Sequence, residues 1–271
     1  MLRAYGAGPG GQTAEAPIKG AGALCAYAGG LFCAAEGDML WHLDAGSLQP
    51  RALFAGGPDM RDVKLSADGR RLYALLSGAD SVLLLDASDG APLMLARAGC
   101  NPPRMALDDA AQALAVAGGR REAVLLLDAH TLAELDEWPA PGPVCDTAFA
   151  GDCVFALCRL GRRRSALAVR RSGTSAVFRL PGAPGALLSR AWGVLAATQE
   201  GLFACTQTAC TRLRRMDGCP VRMAMAHGCL VWTDGFLEAA LRLDAAEGTP
   251  ETMLAPAAGL AAYTIAEEGK A

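Results

Sequence analysis

Short apolar runs separated by polar turns make up most of the chain. Within residues 65–90, LSADGRRLYALLSGADSVLLLDASDG, two apolar segments are flanked and divided by turns rich in Gly, Asp and Ser. Runs of four to six apolar residues between such turns are typical of β-strands. An amphipathic helix would instead place apolar residues at positions i, i+3, i+4 and i+7. The pattern therefore predicts an all-β protein built from short strands and tight turns.

The strand pattern repeats at a nearly constant interval. The turn after the third strand of each unit is marked at intervals of 42, 42, 42, 37 and 37 residues by Asp44, Asp86, Asp128, Arg170, Gln207 and Asp244. The second strand of each unit is centred, at intervals of 41, 41, 41, 40 and 36 residues, on Phe32, Tyr73, Leu114, Phe155, Leu195 and Val231. A period of about 40 residues with several strands per unit is typical of a β-propeller.

We predict a seven-bladed β-propeller of four-stranded blades that forms a single domain over residues 1–271. The six complete blades are predicted at about 19–59, 60–103, 104–143, 144–185, 186–220 and 221–258. A shortened seventh blade combines residues 259–271 with residues 1–18, whose sequence is typical of the outer hairpin of a blade. Closure by both termini would remove exposed sheet edges. Six blades with loose ends is the alternative.

The composition and the N-terminal sequence predict which classes of partner the protein lacks and which compartment it occupies. Hydrophobic residues make up 52% of the chain, charged residues 20%, and the net charge is −3, so we predict neither nucleic-acid nor membrane binding. The N-terminus lacks the pattern of a signal peptide, which predicts a cytoplasmic protein whose ten cysteines are mostly reduced thiols. Cys205 and Cys210 flank a four-residue hairpin loop and could form a disulfide, but two thiols are favoured in that compartment.

Residues 62–92, DVKLSADGRRLYALLSGADSVLLLDASDGAP, followed by AGCNPPRMALDD, resemble the YVTN-type β-propeller repeat of bacterial surface-layer-like and cytosolic proteins. The resemblance extends over residues 60–143. It implies a seven-bladed propeller but no single activity, because members bind ligands or partners and a few related propellers are lactonases. No catalytic position is carried over from it.

The links between blades contain the candidate binding residues. In a propeller these links gather on one face around the central channel, and charged residues at or near the start of the innermost strands are Arg61, Asp62, Arg104, Asp146, Arg190 and Arg222. Arginine presents a planar fork of donors that suits carboxylate or phosphate. We therefore predict a binding scaffold with a small anionic ligand or a peptide at the channel mouth.

Two alternatives to this binding site stay open. The arginines and aspartates could pair across neighbouring blades and simply cap the channel. A lactonase-like hydrolase could use the same face, although a binding protein is favoured over an enzyme and the catalytic residues are unknown. Cysteines in three of the links, Cys100, Cys145 and Cys219, have no metal-binding spacing. We therefore predict no metal and no cofactor.

The strongest charge run is RLGRRRSALAVRR at residues 159–171. Arg159 and Arg162 to Arg164 are predicted in the turn between the second and third strands of the fourth blade. Arg170 and Arg171 begin the next hairpin, at the opposite end of the third strand. The two clusters should therefore point to different faces. Solvated turns are favoured for both, and a docking site for an acidic partner or phosphate is the alternative.

Overall fold

The computed structural model describes residues 2–5, 12–16, 18–19, 23–27, 30–35, 38–44, 47–99, 101–110, 112–119, 121–216, 218, 220–226, 229–233, 238–243 and 250–253. These residues form six four-stranded antiparallel sheets and one two-stranded hairpin. The all-β prediction is confirmed. We number the sheets 1 to 6 in chain order and name the strands of each sheet A to D in the same order.

The N-terminal hairpin pairs β1 (Leu2–Tyr5) with β2 (Gln12–Ala16). Strands A to D of the sheets then follow in chain order. Sheets 1 to 3 contain β3 (Ala23–Tyr27), β4 (Gly30–Ala35), β5 (Met39–Asp44), β6 (Pro50–Ala55); β7 (Met60–Leu65), β8 (Arg71–Leu76), β9 (Ser81–Asp86), β10 (Pro92–Arg97); and β11 (Met105–Asp108), β12 (Ala113–Ala117), β13 (Ala123–Asp128), β14 (Glu134–Pro139). Sheets 4 to 6 contain β15 (Val144–Ala150), β16 (Cys153–Gly161), β17 (Arg164–Arg171), β18 (Thr174–Pro181); β19 (Pro184–Arg190), β20 (Gly193–Thr198), β21 (Gly201–Cys205), β22 (Cys210–Arg214); and β23 (Arg222–Ala226), β24 (Cys229–Thr233), β25 (Glu238–Leu243), β26 (Pro250–Met253).

The repeated aspartate stops strand C by bonding the backbone of its own turn. A side-chain oxygen of Asp44 accepts the N–H of Ser47 at 2.9 Å, and one of Asp86 accepts the N–H of Ser88 at 2.8 Å. Asp128 accepts N–H groups of its own turn in the same way. A carboxylate bonded to the backbone two or three residues ahead favours a turn over further pairing. Asp244 lies outside the described residues.

The hydrophobic core lies between consecutive sheets. Tyr73 and Leu84 of sheet 2 pack with Leu114 of sheet 3, and Phe155 of sheet 4 packs with Phe203 of sheet 5. Further clusters join sheets 1 and 2, 3 and 4, and 5 and 6. The A strands of consecutive sheets also contact one another, so they line the inside of the arrangement. Each sheet thus depends on its neighbours to bury its faces, as the repeat pattern requires.

The N-terminal segment packs on sheet 1. The hairpin predicted for residues 1–18 is present, and Ala16 and Ile18 are buried against Leu31 and Leu43. The strand predicted from residues 259–271 lies outside the described residues, so the seventh blade stays a prediction. No helix in the described ranges is long and apolar enough to cross a bilayer.

Candidate binding site at the channel mouth

Strand A places a charged side chain at the same repeat position in several sheets. Asp62, Asp146 and Arg222 each pair with the strand B residue two positions beyond the central residue of that strand. Met105 holds this position in sheet 3. Because the sheets share this register around the axis, the side chains start from equivalent points at the end of strand A where the inter-sheet links arrive. We call this end of the channel the mouth.

Asp62 connects sheet 2 to sheet 3 by accepting backbone hydrogen bonds from both sheets. Its side chain is buried, with 2% of the residue exposed, and Oδ1 accepts the N–H of Val63 at 3.1 Å. Oδ2 accepts the N–H of Met105 in the next sheet, also at 3.1 Å. Lys64 adds a cation, with Nζ 3.5 Å from Oδ1. The carboxylate therefore satisfies backbone donors of two sheets at a buried position, where an unpaired N–H is costly.

Asp146 makes the equivalent connection from sheet 4 to sheet 5. Oδ1 accepts the N–H of Thr147 at 2.9 Å, and Oδ2 accepts the N–H of Leu187 at 2.7 Å. Both carboxylates at this repeat position thus use each of their oxygens on a backbone N–H. We call Asp62 and Asp146 the inter-sheet carboxylates.

Two guanidinium groups converge on one backbone oxygen at the mouth. Nη2 of Arg222 donates to the carbonyl of Arg61 at 3.0 Å, and Nη1 of Arg104 donates to the same oxygen at 3.3 Å. Nη1 of Arg222 also lies 3.6 Å from Oδ1 of Asp62. Arg222 belongs to sheet 6 and Asp62 to sheet 2, so this contact crosses the mouth. Nη1 of Arg104 donates in addition to the carbonyl of Pro103 at 2.9 Å.

Burial and neighbouring charges shift the pKa values of the ionisable groups at the mouth. Burial raises the pKa of Asp62, but Lys64, Arg222 and Arg104 outweigh it and hold that pKa below its ordinary value. Burial raises the pKa of Asp146 above its ordinary value, and Arg104 and Arg222 offset this only in part. Burial and the neighbouring Arg222 lower the pKa of Arg104. Three cations thus face two carboxylates, which leaves the mouth with an excess of positive charge.

Two of the predicted site residues do not contribute a side chain to this group. Nε of Arg61 pairs with Asp59 at 2.7 Å on the exposed surface, so Arg61 contributes its carbonyl oxygen to the mouth. Arg190 does not lie there, because β19 begins at Pro184 and Arg190 is its last residue, paired with Gly193 beside the opposite turn. The link before sheet 5 is therefore shorter than a position of Arg190 near the start of the strand requires.

Lys64 joins the site although its role was not predicted. It lies two residues after Asp62 in the same strand, and residues i and i+2 of a strand share one face. The other predicted members, Arg104, Asp146 and Arg222, lie together with Asp62 as one charged group.

Two cysteines of the outer hairpin of sheet 5 are bonded to each other, whereas the sequence favoured two free thiols. Cys205 and Cys210 lie directly opposite each other in β21 and β22 and form a disulfide with an S–S distance of 2.19 Å, so the expectation of two thiols is wrong in this structure. Cys145 lies beside the mouth, whereas Cys100 and Cys219 fall outside the described residues. Within the described part of the chain, no three His, Cys, Asp or Glu side chains form a group that could hold a metal ion.

Two cavities among the described residues lie away from the mouth. One, of about 370 Å³, lies beside the outer hairpins of sheets 4 and 5 and is lined by Phe178 and Gln207 among others. The second, of about 220 Å³, lies between sheets 2 and 3 near Arg71 and His130. Both open at the turns opposite the inter-sheet links. We place the candidate site at the mouth nevertheless, because charged side chains of sheets 2, 4 and 6 and of the link before sheet 3 converge there.

We expect the two inter-sheet carboxylates to respond oppositely to pH. A lowered folded-state pKa stabilises the protein above the ordinary carboxyl pKa, and this contribution is lost as the pH falls through the folded-state value. The raised pKa of Asp146 has the reverse effect, because its ionised form is disfavoured on folding. The loss of stability caused by Asp62→Asn should therefore grow between pH 3 and pH 7, while that caused by Asp146→Asn should shrink. Urea unfolding across this range measures both, and parallel curves would contradict the assignment.

Solved structures with the same architecture show the fold class. The structure titled "Structure of U3-55K" is 10% identical to this chain, with a TM-score of 0.72. The match covers 88% of this chain and 82% of the chain in that structure. The RRP9 WD40 repeats are 9% identical with a TM-score of 0.70, covering 88% and 81%. Kuenenia stuttgartiensis hydrazine synthase is 14% identical with a TM-score of 0.68, covering 84% and 78%.

These likenesses, together with the stacked four-stranded sheets, show that the chain has a β-propeller fold. No protein-family model matches the sequence, and no curated protein matches it. The fold is therefore shown by structure, and the function has to be inferred from the mouth.

Proposed function

We propose that this propeller is a binding scaffold whose channel mouth holds a small anion or the carboxylate of a peptide. The observation that carries the proposal is the convergence of Arg104 and Arg222 on the carbonyl oxygen of Arg61. Two like charges held side by side repel each other unless an anion lies between them. Of these two arginines, only Arg222 has a carboxylate of the described residues within 4.0 Å, namely that of Asp62.

The chemistry of these donors favours oxyanions. Each guanidinium carries five N–H donors in a planar fork, and the contacts described above use few of them. A carboxylate or phosphate placed between Arg104 and Arg222 could accept from both forks, and charge-assisted bonds of this kind are the strong ones. Lys64 adds a third positive charge on the same side of Asp62.

The inter-sheet carboxylates favour binding over hydrolysis. A hydrolase needs an acid and a base directed at a bound substrate. Asp62 and Asp146 instead direct both oxygens at backbone N–H groups. Their role is to hold the sheets that present the arginines. The presence of WD40 repeats among the structural neighbours also agrees with a scaffold that binds other proteins.

Replacing Arg104 with glutamine tests the site. Arg104→Gln should weaken the binding of inorganic phosphate and of citrate by about 10-fold or more, because a hydrogen bond between charged groups contributes roughly 1.5–3 kcal/mol. Isothermal titration calorimetry of the full chain measures the affinity. Arg70→Gln removes one exposed charge at the opposite end of sheet 2 and serves as the control. Equal affinities of Arg104→Gln and wild type for both anions would reject the mouth as the site.

A further inference from the structure

Strand B of sheet 4 is longer than strand B of sheets 2, 3 and 5 on the side of the mouth. In sheets 2, 3 and 5, strand B ends three residues after its central residue, at Leu76, Ala117 and Thr198. In sheet 4 it continues to Gly161, six residues after Phe155. The additional residues form two further pairs with strand C, Arg159–Ser165 and Gly161–Arg164, which correspond to about 7 Å of strand at roughly 3.3 Å per residue. Gly161 pairs with Arg164, so Arg162 and Arg163 form the tip.

This projection carries a cluster of exposed arginines, which we call the arginine hairpin. Its members are Arg159, Arg162, Arg163, Arg164 and Arg179. Arg164 pairs with Pro181 and Arg179 with Ala166, which places the two arginines diagonally on one face of the hairpin. No Asp or Glu of the described residues lies within 4.0 Å of any of the five guanidinium groups.

Arginines at the other end of the same strand are paired. Arg170 lies 2.6 Å from Asp136, and Arg171 lies 2.5 Å from Asp152 and donates to Gln207 at 3.1 Å. The charge run at residues 159–171 therefore divides into one half whose arginines are paired with carboxylates and one half whose arginines are not.

Backbone contacts hold the arginine hairpin in place. The N–H of Arg159 donates to the carbonyl of Pro143 at 2.9 Å, and the N–H of Gly182 donates to the carbonyl of Arg163 at 3.0 Å. Gly142 packs so closely that a Cβ atom there would lie 2.3 Å from the carbonyl oxygen of Arg159. The arginines are therefore presented on a paired, packed element, which lowers the ordering cost of binding a partner.

The arginine hairpin continues the positive surface of the mouth. Burial raises the pKa of the Cys145 thiol, and Arg159 and Arg104 partly offset this effect. The N–H of Arg159 and the thiol of Cys145 both contact the carbonyl oxygen of Pro143, at 2.9 Å and 3.7 Å, and Cys145 directly precedes Asp146 of the mouth. Positive charge extends from the channel axis to the tip of sheet 4 on one face of a protein whose net charge is −3.

We propose that the arginine hairpin and the mouth together bind an acidic segment of a partner protein. The inference rests on the proposed function and extends it, since one carboxylate of the segment would occupy the mouth and others would pair with the hairpin. An acidic peptide can contact the mouth and the arginine hairpin at the same time, whereas a small anion occupies the mouth alone. Single-stranded nucleic acid fits less well, because Trp192, the exposed aromatic of sheet 5, lies at the opposite turns and the hairpin offers no stacking platform.

A double substitution at the tip tests this inference. Arg162 and Arg163 are exposed turn residues, so R162S/R163S should fold normally. Its affinity for a fluorescent octaglutamate peptide, measured by anisotropy on the full chain, should fall about 10-fold, and the salt dependence of binding should weaken. R70S/R212S removes the same net charge elsewhere and should bind within twofold of wild type. An eight-nucleotide oligothymidylate should bind more weakly than the peptide.

The outcomes separate the two proposals. R162S/R163S should keep wild-type affinity for inorganic phosphate, because the mouth is intact, while Arg104→Gln loses it. Wild-type affinity of R162S/R163S for the peptide, or an equal loss in R70S/R212S, would overturn the arginine hairpin as a docking surface even if phosphate still binds at the mouth. Tighter binding of the oligonucleotide than of the peptide would overturn the assignment of an acidic polypeptide. Loss of peptide binding in R162S/R163S without any effect of Arg104→Gln on phosphate would support the hairpin and reject the mouth.

Discussion

Asp62→Ala is expected to lower the free energy of unfolding by about 3–5 kcal/mol, the range found when one partner of a buried ion pair is removed. The substitution leaves the N–H of Met105 without its acceptor and removes the anion that faces Lys64 and Arg222. It also withdraws a connection between sheets 2 and 3. Urea unfolding at pH 7, followed by circular dichroism and tryptophan fluorescence, measures the change.

Asp59→Ala is the matched control for this loss. Asp59 lies in the same inter-sheet link and pairs with Arg61, but both side chains are about half exposed. An exposed pair of this kind contributes roughly 0–1 kcal/mol. Similar losses in the two variants would show that Asp62 acts as a surface charge and that the description of a buried connection is wrong.

Phe155→Ala is expected to destabilise the protein by about 3–5 kcal/mol. Only 1% of Phe155 is exposed, and its ring packs with Leu167 of its own sheet and Phe203 of sheet 5. Truncation removes apolar contacts and leaves a cavity that the antiparallel pairing on both sides prevents from closing. The midpoint of urea unfolding should fall accordingly.

Val177→Ala provides the comparison within the same sheet. Val177 lies in the outer strand β18 with 54% of the residue exposed, and surface substitutions usually change stability by less than about 0.5 kcal/mol. If the two variants unfolded at the same urea concentration, burial between sheets would not be the main source of stability in this fold. Folded Phe155→Ala should still bind phosphate, because the mouth residues do not contact the ring.

The success of the sequence-based prediction follows from the local nature of its signals. Strand alternation, the turn-forming aspartates and the hairpin glycines each act over a few residues, and the strand predicted around Tyr73 is present as Arg71–Leu76. The interval of about 40 residues then predicted stacked, equivalent sheets. The orientation of the charge run was also predictable, because the two ends of one strand must point in opposite directions.

The failures arose where chain length and pairing could not be inferred locally. Arg190 was placed at the mouth because the link before sheet 5 was assumed to be longer than it is, although Pro184 already begins the strand. Lys64 was missed because a lysine two residues after Asp62 is unremarkable until the other charges are placed around it. Cys205 and Cys210 were expected as thiols from an assumed compartment, whereas the register of their hairpin joins them.

The sequence by itself determined the all-β fold, the repeat and the residues available at each inter-sheet link. The tertiary structure alone decided which of them meet. Arg222 reaches Asp62 and the carbonyl of Arg61 across the mouth from a sheet far along the chain. Only the tertiary structure showed that Arg170 is paired while Arg162 is not. Such contacts depend on how the sheets are arranged around the axis, and that arrangement is set by packing between sheets rather than by residues adjacent in sequence.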